Sequence, residues 1–335
     1  MPTNRRFLLR RRPHGRIDAE TFELIEEELP ELDDGEALVR TEWVSLDPTN
    51  RGWISEGPGY LPPVAIGETM RGLGMGRVIE SKHPGYETGQ LVQGLIGWTE
   101  HFVASDAAPL QRVPVADGVS PSLYLGVLGM TGLTAWVGMQ EIGKPQEGET
   151  VVVSAAAGAV GSVAGQLAKR EGARVVGIAG GPEKCSLLTD TLGFDAAVDH
   201  RAEDWREQLE AATPDGIDVD FENVGGELMD AIFARLNVHS RVALCGLISI
   251  YNDTEAPPGP SAFRSLLVQR TSLQGFIILD HLDKLAKVSA QLAEWIADGS
   301  LEPLETVVEG FDQLPSAINM LFDGSNVGKL VVRVA

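Results

Sequence analysis

The chain has 335 residues, 43% of them hydrophobic and 22% charged, with 48 Asp and Glu against 27 Lys and Arg for a formal net charge of -21. At about 150 residues per domain, that length predicts two domains with a core each, and the composition is too apolar for a disordered chain. The charge repels nucleic-acid backbones and anionic lipid, so neither nucleic acid nor membrane is expected as a partner. No apolar run approaches the roughly 18–20 residues of a membrane span. Two cysteines, Cys185 and Cys245, exclude a disulfide framework and any multi-cysteine metal site. The expectation is an acidic, soluble, cytoplasmic protein.

Arg5, Arg6, Arg10, Arg11, Arg12 and Arg16 make a basic start. Phe7-Leu8-Leu9 within it reads as a strand and Pro13-His14-Gly15 as a turn, which favours a first strand over a targeting address. Up to about Leu128, short apolar runs such as Ala37–Thr41, Gly76–Glu80 and Gln90–Leu95 alternate with Gly/Pro turns, predicting an all-β unit, a compact barrel. Trp43, Trp53 and Trp98 in this half are assigned to core or pocket wall.

From Thr150 the rhythm changes. Strand-length runs at Thr150–Ser154, Arg174–Ile178, Ala196–Val198, Ile217–Phe221, Arg241–Leu244 and Leu273–Ile278 alternate with helical stretches at Val160–Arg170, Pro182–Leu192, Glu227–Leu236 and His281–Ala297. That alternation predicts an α/β domain with a doubly wound parallel sheet covered on both faces. The tail offers a strand at Glu305–Glu309, a helix near Leu314–Phe322 and a last strand, Lys329–Val334. A last strand returning to the β unit would make that domain discontinuous.

Between the first strand and first helix of the second half lies Ala155-Ala156-Ala157-Gly158-Ala159-Val160-Gly161, a dinucleotide fingerprint with Ala156 in the first glycine position. Gly158 lets the backbone approach a pyrophosphate, Gly161 lets helix pack on strand, and the helix N-terminus offers unpaired N–H groups to the anion. An NAD enzyme places Asp or Glu about 20 residues on. Here the second strand ends Gly177-Ile178-Ala179-Gly180-Gly181, without a carboxylate until Glu183. Small residues there leave room for a 2′-phosphate, with Lys184 and Arg201 to neutralise it, so NADPH is the expected cofactor. The alternative for Lys184 and Arg201 is ordinary surface charge.

No metal is expected. The β half has no cysteine, its histidines His14, His83 and His101 show no ligand spacing, and no nucleophile elbow or P-loop is present.

Taken together, these residues resemble the zinc-free medium-chain dehydrogenases/reductases, within them the leukotriene B4 12-hydroxydehydrogenase/prostaglandin reductase group that includes curcumin and alkenal double-bond reductases. The resemblance runs over nearly the whole chain and is carried by Ser45-Leu46-Asp47-Pro48, Leu128–Ala135, Ser154–Gly165, Gly180–Lys184, Glu222–Gly226, Cys245–Asn252 and Asn326–Lys329. It implies a GroES-like β-barrel catalytic and substrate domain, 1–127 and 302–335, and a Rossmann-type NADP-binding domain, 128–301. It implies a homodimer and a small-molecule unsaturated carbonyl substrate, whose carbon–carbon double bond NADPH reduces.

Carried onto this chain, Gly158, Ala159, Val160 and Gly161 meet the pyrophosphate, and Lys184 meets the 2′-phosphate with Gly180, His200 and Arg201 beside it. Asn223, the stretch Cys245, Gly246, Ile248, Ser249 and Tyr251, and Phe276, Ile277 and Ile278 line the cofactor. Asn326 approaches the nicotinamide, with Met130 and Thr134 nearby, and Tyr251 faces the substrate carbonyl as the catalytic residue.

In the implied reaction, hydride reaches the β-carbon and charge builds on the carbonyl oxygen as an enolate. A preorganised donor, Tyr251 or the nicotinamide ribose hydroxyl, stabilises that charge.

Two departures stand out. The family's Asp-Tyr-Lys is Asp199-His200-Arg201 here, and a protonated His200 would hold a phosphate better, so NADPH affinity is expected to rise as pH falls. The family's Asp-Pro-Tyr-Met-Arg is Asp47-Pro48-Thr49-Asn50-Arg51, which implies a smaller, more polar substrate pocket at Thr49 and Asn50. The alternatives are an NADPH quinone oxidoreductase and a non-catalytic NADPH-binding protein.

Overall fold

The computed structural model describes residues 3–57, 59–114, 118–255 and 257–335. The chain divides into two units: Met1–Leu125 with Thr306–Ser325 and Leu330–Ala335, and Gly126–Glu305 with Asn326–Lys329.

In the first unit β1 (Thr3–Leu9) and β2 (Phe22–Glu28) form an antiparallel hairpin. The basic start is therefore strand, and Arg5 is paired with Glu100 at 2.6 Å and Asp312 at 3.0 Å. The strands β3 (Ala37–Leu46), β4 (Gly74–Ser81), β5 (Leu91–Gly94), β6 (His101–Ala104) and β7 (Gln111–Arg112) follow, with a short helix α1 (Thr49–Trp53) after β3. β3 is buried along nearly its whole length, and one core gathers Phe7, Phe22, Trp53, Trp98 and Phe311. Trp98 is fully enclosed, with Phe7 edge-on at 6.2 Å and Phe22 tilted at 4.8 Å. Trp43 and Trp53 are buried too.

The second unit carries β8 (Thr150–Val153), β9 (Arg174–Ala179), β10 (Ala196–Asp199), β11 (Ile217–Glu222), β12 (Leu236–Leu244) and β13 (Ser272–Gly275) in the order β10-β9-β8-β11-β12-β13. Every pairing is parallel. Its helices are α2 (Met130–Trp136), α3 (Gly161–Arg170), α4 (Pro182–Ser186), α5 (Trp205–Ala212), α6 (Gly226–Phe233), α7 (Arg264–Gln269) and α8 (Leu285–Ala297). Leu209 of α5 and Leu228, Ile232 and Phe233 of α6 pack on Val152, Val176, Ile178, Val198 and Val242. The other face is covered as well: a Cβ on Gly138, in the helical segment after α2, would lie 2.5 Å from the Phe221 ring. This is the doubly wound, Rossmann-type sheet that the alternating pattern predicts.

The chain then returns to the first unit. There β14 (Glu305–Glu309) and β15 (Lys329–Arg333) complete a sheet of order β14-β15-β3-β4-β5-β7, antiparallel at each pairing from β15 to β7, with β6 also paired antiparallel to β3.

Three boundaries differ from the sequence pattern. The expected helix Glu227–Leu236 stops at Phe233, and Leu236 already opens β12. Its start was hidden because a register shift against β11, with His239 at φ 65°, breaks the alternation before Arg241. The run Leu273–Ile278 leaves the sheet at Gly275, and Ile278 begins a 3-10 segment that kinks at His281 before α8. The tail helix is two short pieces, Leu314–Ala317 and Met320–Asp323.

Candidate active site

In an open parallel sheet, ligands bind beyond the carboxyl ends of the strands where the strand order reverses. Here that point lies between β8 and β11. Ser154 follows β8 directly, and Ala155 then takes φ 48°, a left-handed turn that favours glycine. The sharp turn thus falls on Ala155, one residue before the position the fingerprint suggests, while Ala156 is buried in the core. A Cβ on Gly161 would come within 2.4 Å of the Ala155 carbonyl oxygen, so only glycine lets α3 begin this close to the loop. Gly158, Ala159 and Val160 are partly exposed at the mouth of α3. Their backbone bridges to the tail: Gly158 pairs with Gly328, whose N–H donates to the Ala157 carbonyl at 2.7 Å.

Beyond β9 and β10 lies a cationic corner. A Cβ on Gly180 would sit 2.8 Å from Nε of Arg201 and 2.9 Å from Nε2 of His200, so both side chains close over the glycine. Asp199 turns inward, accepting from the N–H groups of Gly181 at 2.7 Å and Arg201 at 3.0 Å. The Gly181 bond chiefly holds its carboxyl below the usual range. Sequence reasoning missed this role for Asp199, although an acid at a strand end followed by His200 and Arg201 was visible. Lys184 donates to the Asn326 carbonyl at 2.6 Å, tying α4 to the tail segment. Asn326 is buried, and its amide donates to Gly328 at 3.0 Å. Partial desolvation first, and Arg201 second, lower the pKa of His200. Its protonation therefore begins below the ordinary histidine range, which moves the expected affinity rise to more acidic pH.

Across the switch point, β11 ends in Glu222, and Asn223 follows it. The Asn223 N–H donates to Ser154 Oγ at 2.7 Å, its Nδ2 donates to the Ser154 carbonyl at 2.8 Å, and its carbonyl accepts from Ile248 at 3.0 Å. Cys245 lies beside Glu222, and burial chiefly pushes its thiol up to about 12, so it is no nucleophile at neutral pH. Gly246 approaches the Tyr251 hydroxyl, which accepts from the Leu247 N–H at 3.4 Å. Ser249 donates to the Val224 carbonyl at 2.6 Å. Phe276 lies against Gly138, Ile277 is exposed and Ile278 half-buried. On α2, Met130 is half-buried and Thr134 donates back to its carbonyl at 2.7 Å.

Thr49 and Asn50 sit on α1 in the first unit. Asn50 departs from the expected pocket role. Its Oδ1 accepts from Asp47 N–H at 2.7 Å, its Nδ2 donates to the Arg71 carbonyl at 3.1 Å, and it is 1% exposed. That amide holds the turn rather than a ligand. Thr49 is hydrogen-bonded to the Tyr60 hydroxyl.

The second unit's residues fit a 2′-phosphorylated dinucleotide: a loop closed to side chains at Gly161, a helix N-terminus, and a glycine floor roofed by the Arg201 guanidinium and the His200 imidazole. Among the described residues, no three His, Cys, Asp or Glu side chains cluster to hold a metal.

Residues 5–113 match the family model of the N-terminal domain of oxidoreductase, and residues 159–297 match that of zinc-binding dehydrogenase. The NADPH-dependent curcumin reductase of Escherichia coli is 44% identical, over 99% of this chain and 97% of its own. Prostaglandin reductase 1 of Rattus norvegicus is 39% identical, over 93% of each chain. The crystal structure of CurA in complex with NADPH from Vibrio vulnificus superposes with a TM-score of 0.94 at 42% identity, covering 99% of both chains.

Proposed function

Because the chain belongs to the zinc-free medium-chain dehydrogenases/reductases, in the group of the curcumin, prostaglandin and alkenal reductases, we propose that it reduces the carbon–carbon double bond of α,β-unsaturated ketones and aldehydes with NADPH. The observation that carries the cofactor is the corner of Gly180, His200 and Arg201 beyond β9 and β10, where an NAD enzyme would present a carboxylate. Gly158 to Gly161 hold the pyrophosphate, and Lys184 reaches the 2′-phosphate while keeping its bond to Asn326. Asn223, the Cys245–Tyr251 stretch and Phe276–Ile278 line the nicotinamide half, with Met130, Thr134 and Asn326 near it.

Bound NADPH supplies a hydride to the β-carbon. The chain's own task is to hold that carbon in line and to stabilise the negative charge that develops on the carbonyl oxygen. We assign this to Tyr251. Its oxygen is fixed by the Leu247 N–H, so its O–H is placed without reorganisation as charge builds. The α-carbon then takes a proton from solvent.

Residues 1–127 and 302–335 take the part of the substrate domain, and 128–301 that of the NADP-binding domain. Two copies pair through β13, an edge strand exposed along its whole length beside exposed Leu267, Val268 and Leu282. A cytoplasmic setting suits a reductase drawing on NADPH, and both cysteines are free thiols.

The test is NADPH consumption with an aliphatic enone, an enal, a diaryl enone and a quinone, with NADH as control. Saturated carbonyl products with NADPH and little rate with NADH are expected. Turnover of the quinone alone would overturn the assignment. Tyr251→Phe is expected to lower enone kcat by about 10²-fold with unchanged NADPH affinity; full activity would remove Tyr251 from the reaction.

A further inference from the structure

Glu222 ends β11 with no exposure to solvent, yet three donors converge on its Oε1: Ser154 Oγ at 2.9 Å, Val224 N–H at 2.5 Å and Gly225 N–H at 2.9 Å. Its carbonyl accepts from the N–H groups of Cys245 at 2.9 Å and Gly246 at 3.1 Å. Ser154 in turn accepts from Asn223, and Val224 accepts from the Ser249 N–H at 3.0 Å. One residue thus joins the start of the phosphate loop, the Asn223–Gly225 turn and the Cys245–Ser249 turn, which lie far apart in sequence. The bond from Ser154 to Glu222 spans the switch point itself, since Ser154 follows β8 and Glu222 closes β11.

We propose that Glu222 is a positioning residue that holds the nicotinamide half of the site in register with the phosphate loop. The proposal rests on the cofactor placement given above, with the adenosine half beyond β9 and β10 and the nicotinamide half over β11 and β12. The buried carboxylate touches no ligand. It acts by folding the Asn223 turn around Oε1, with Gly225 and Gly226 at φ 80° and 61° supplying the bend. Asn223 and the segment leading to Tyr251 are then fixed before a ligand arrives. Without an acceptor at this point, the Val224 and Gly225 N–H groups must reorient to find partners, and Asn223 and Gly246 move with them.

The experiment compares Glu222→Ala with the parent in direct binding of NADPH and of adenosine 2′,5′-bisphosphate, which carries only the adenosine half, and in kcat. The expected result is a loss of about tenfold or more in NADPH affinity and in kcat, with the bisphosphate affinity within about twofold of parent. Loss of both ligands together would make Glu222 a fold residue and overturn the proposal, as would NADPH affinity and kcat unchanged. If Glu222→Ala does not fold, Ser154→Ala, which keeps the carboxylate and removes the hydroxyl that joins it and the Asn223 N–H across the switch point, is expected to give the same split. Equal loss of both ligands, or loss of neither, overturns it there too. Should the parent bind NADPH but turn over no enone, the proposed reaction fails while the affinity split still reads Glu222.

Discussion

Both carboxylate oxygens of Asp220 are buried without a hydrogen-bond partner, two residues before Glu222 on the same face of β11. Its cross-strand neighbours are Val152 and Val242, members of the apolar cluster under α5 and α6. Burial first, and Glu222 second, raise its pKa well above the carboxylate range. As pH rises past about 4, the unfolded chain releases this proton while the folded chain keeps it. Stability is therefore lost with rising pH until the raised folded pKa is passed. Asp220→Val extends the valine cluster and removes the titration. It is expected to stabilise by about 1–3 kcal/mol at pH 8 and by less near pH 4; a lower melting temperature than parent at pH 8 would show the carboxyl has a partner in solution. His200 bears on affinity instead. Because desolvation and Arg201 lower its pKa, NADPH affinity is expected to be flat between about pH 7 and 8 as far as His200 is concerned. Binding titrated down to about pH 5.5 should show a rise below about pH 6.5 that His200→Gln abolishes; identical profiles would exclude His200 from the phosphate site.

At the scale of elements, β13 is one of the two edges at which the parallel sheet ends, β10 being the other. Its one partner is β12, and α7 beside it exposes Leu267 at 80% and Val268 at 51%. Leu267→Asp with Val268→Asp is expected to shift the parent from dimer to monomer by light scattering; a parent already monomeric would falsify pairing along this edge. The sheet itself was legible from sequence because β8 and β9 are apolar runs and β11 an alternating one, each bounded by turns, and the Ala155–Gly161 loop fixed which strand came first. Element ends were less legible. Leu236 reads as the last helical position of its run, but pairing with Ile217 claims it for β12, and that contact is not local. Asp220 and Glu222 were invisible as a pair, since an acid alternating with apolar residues on a strand reads as a solvated face. Only the flanking strands and helices reveal that this face is buried. Asn50 failed similarly: a turn amide and a pocket amide look alike until Asp47 and Arg71 are seen to occupy it.

For the whole molecule, the charge of -21 is not spread evenly along the chain, yet the basic start is matched locally by acids from near and distant sequence. Arg5 meets Glu100 and Asp312, Arg6 meets Glu27, Arg11 meets Asp18, and Arg16 meets Asp323. Each surface pair adds little stability, but the set explains how a cationic segment fits an anionic protein. The same unit also contains a feature with consequences for synthesis. One edge of β3 is filled by two strands in succession, β6 along Ala37–Arg40 and β15 along Trp43–Leu46. A ribosome makes the whole of Gly126–Glu305 before it delivers β15. At about 5–20 residues per second, the Trp43–Leu46 edge waits roughly 15–60 s for its partner. A unit begun before Gly126–Glu305 is thus completed after it. A bare apolar strand edge on the nascent chain is open to chaperones and neighbouring chains alike, so slower translation between β3 and β15 is expected to lower the yield of folded protein.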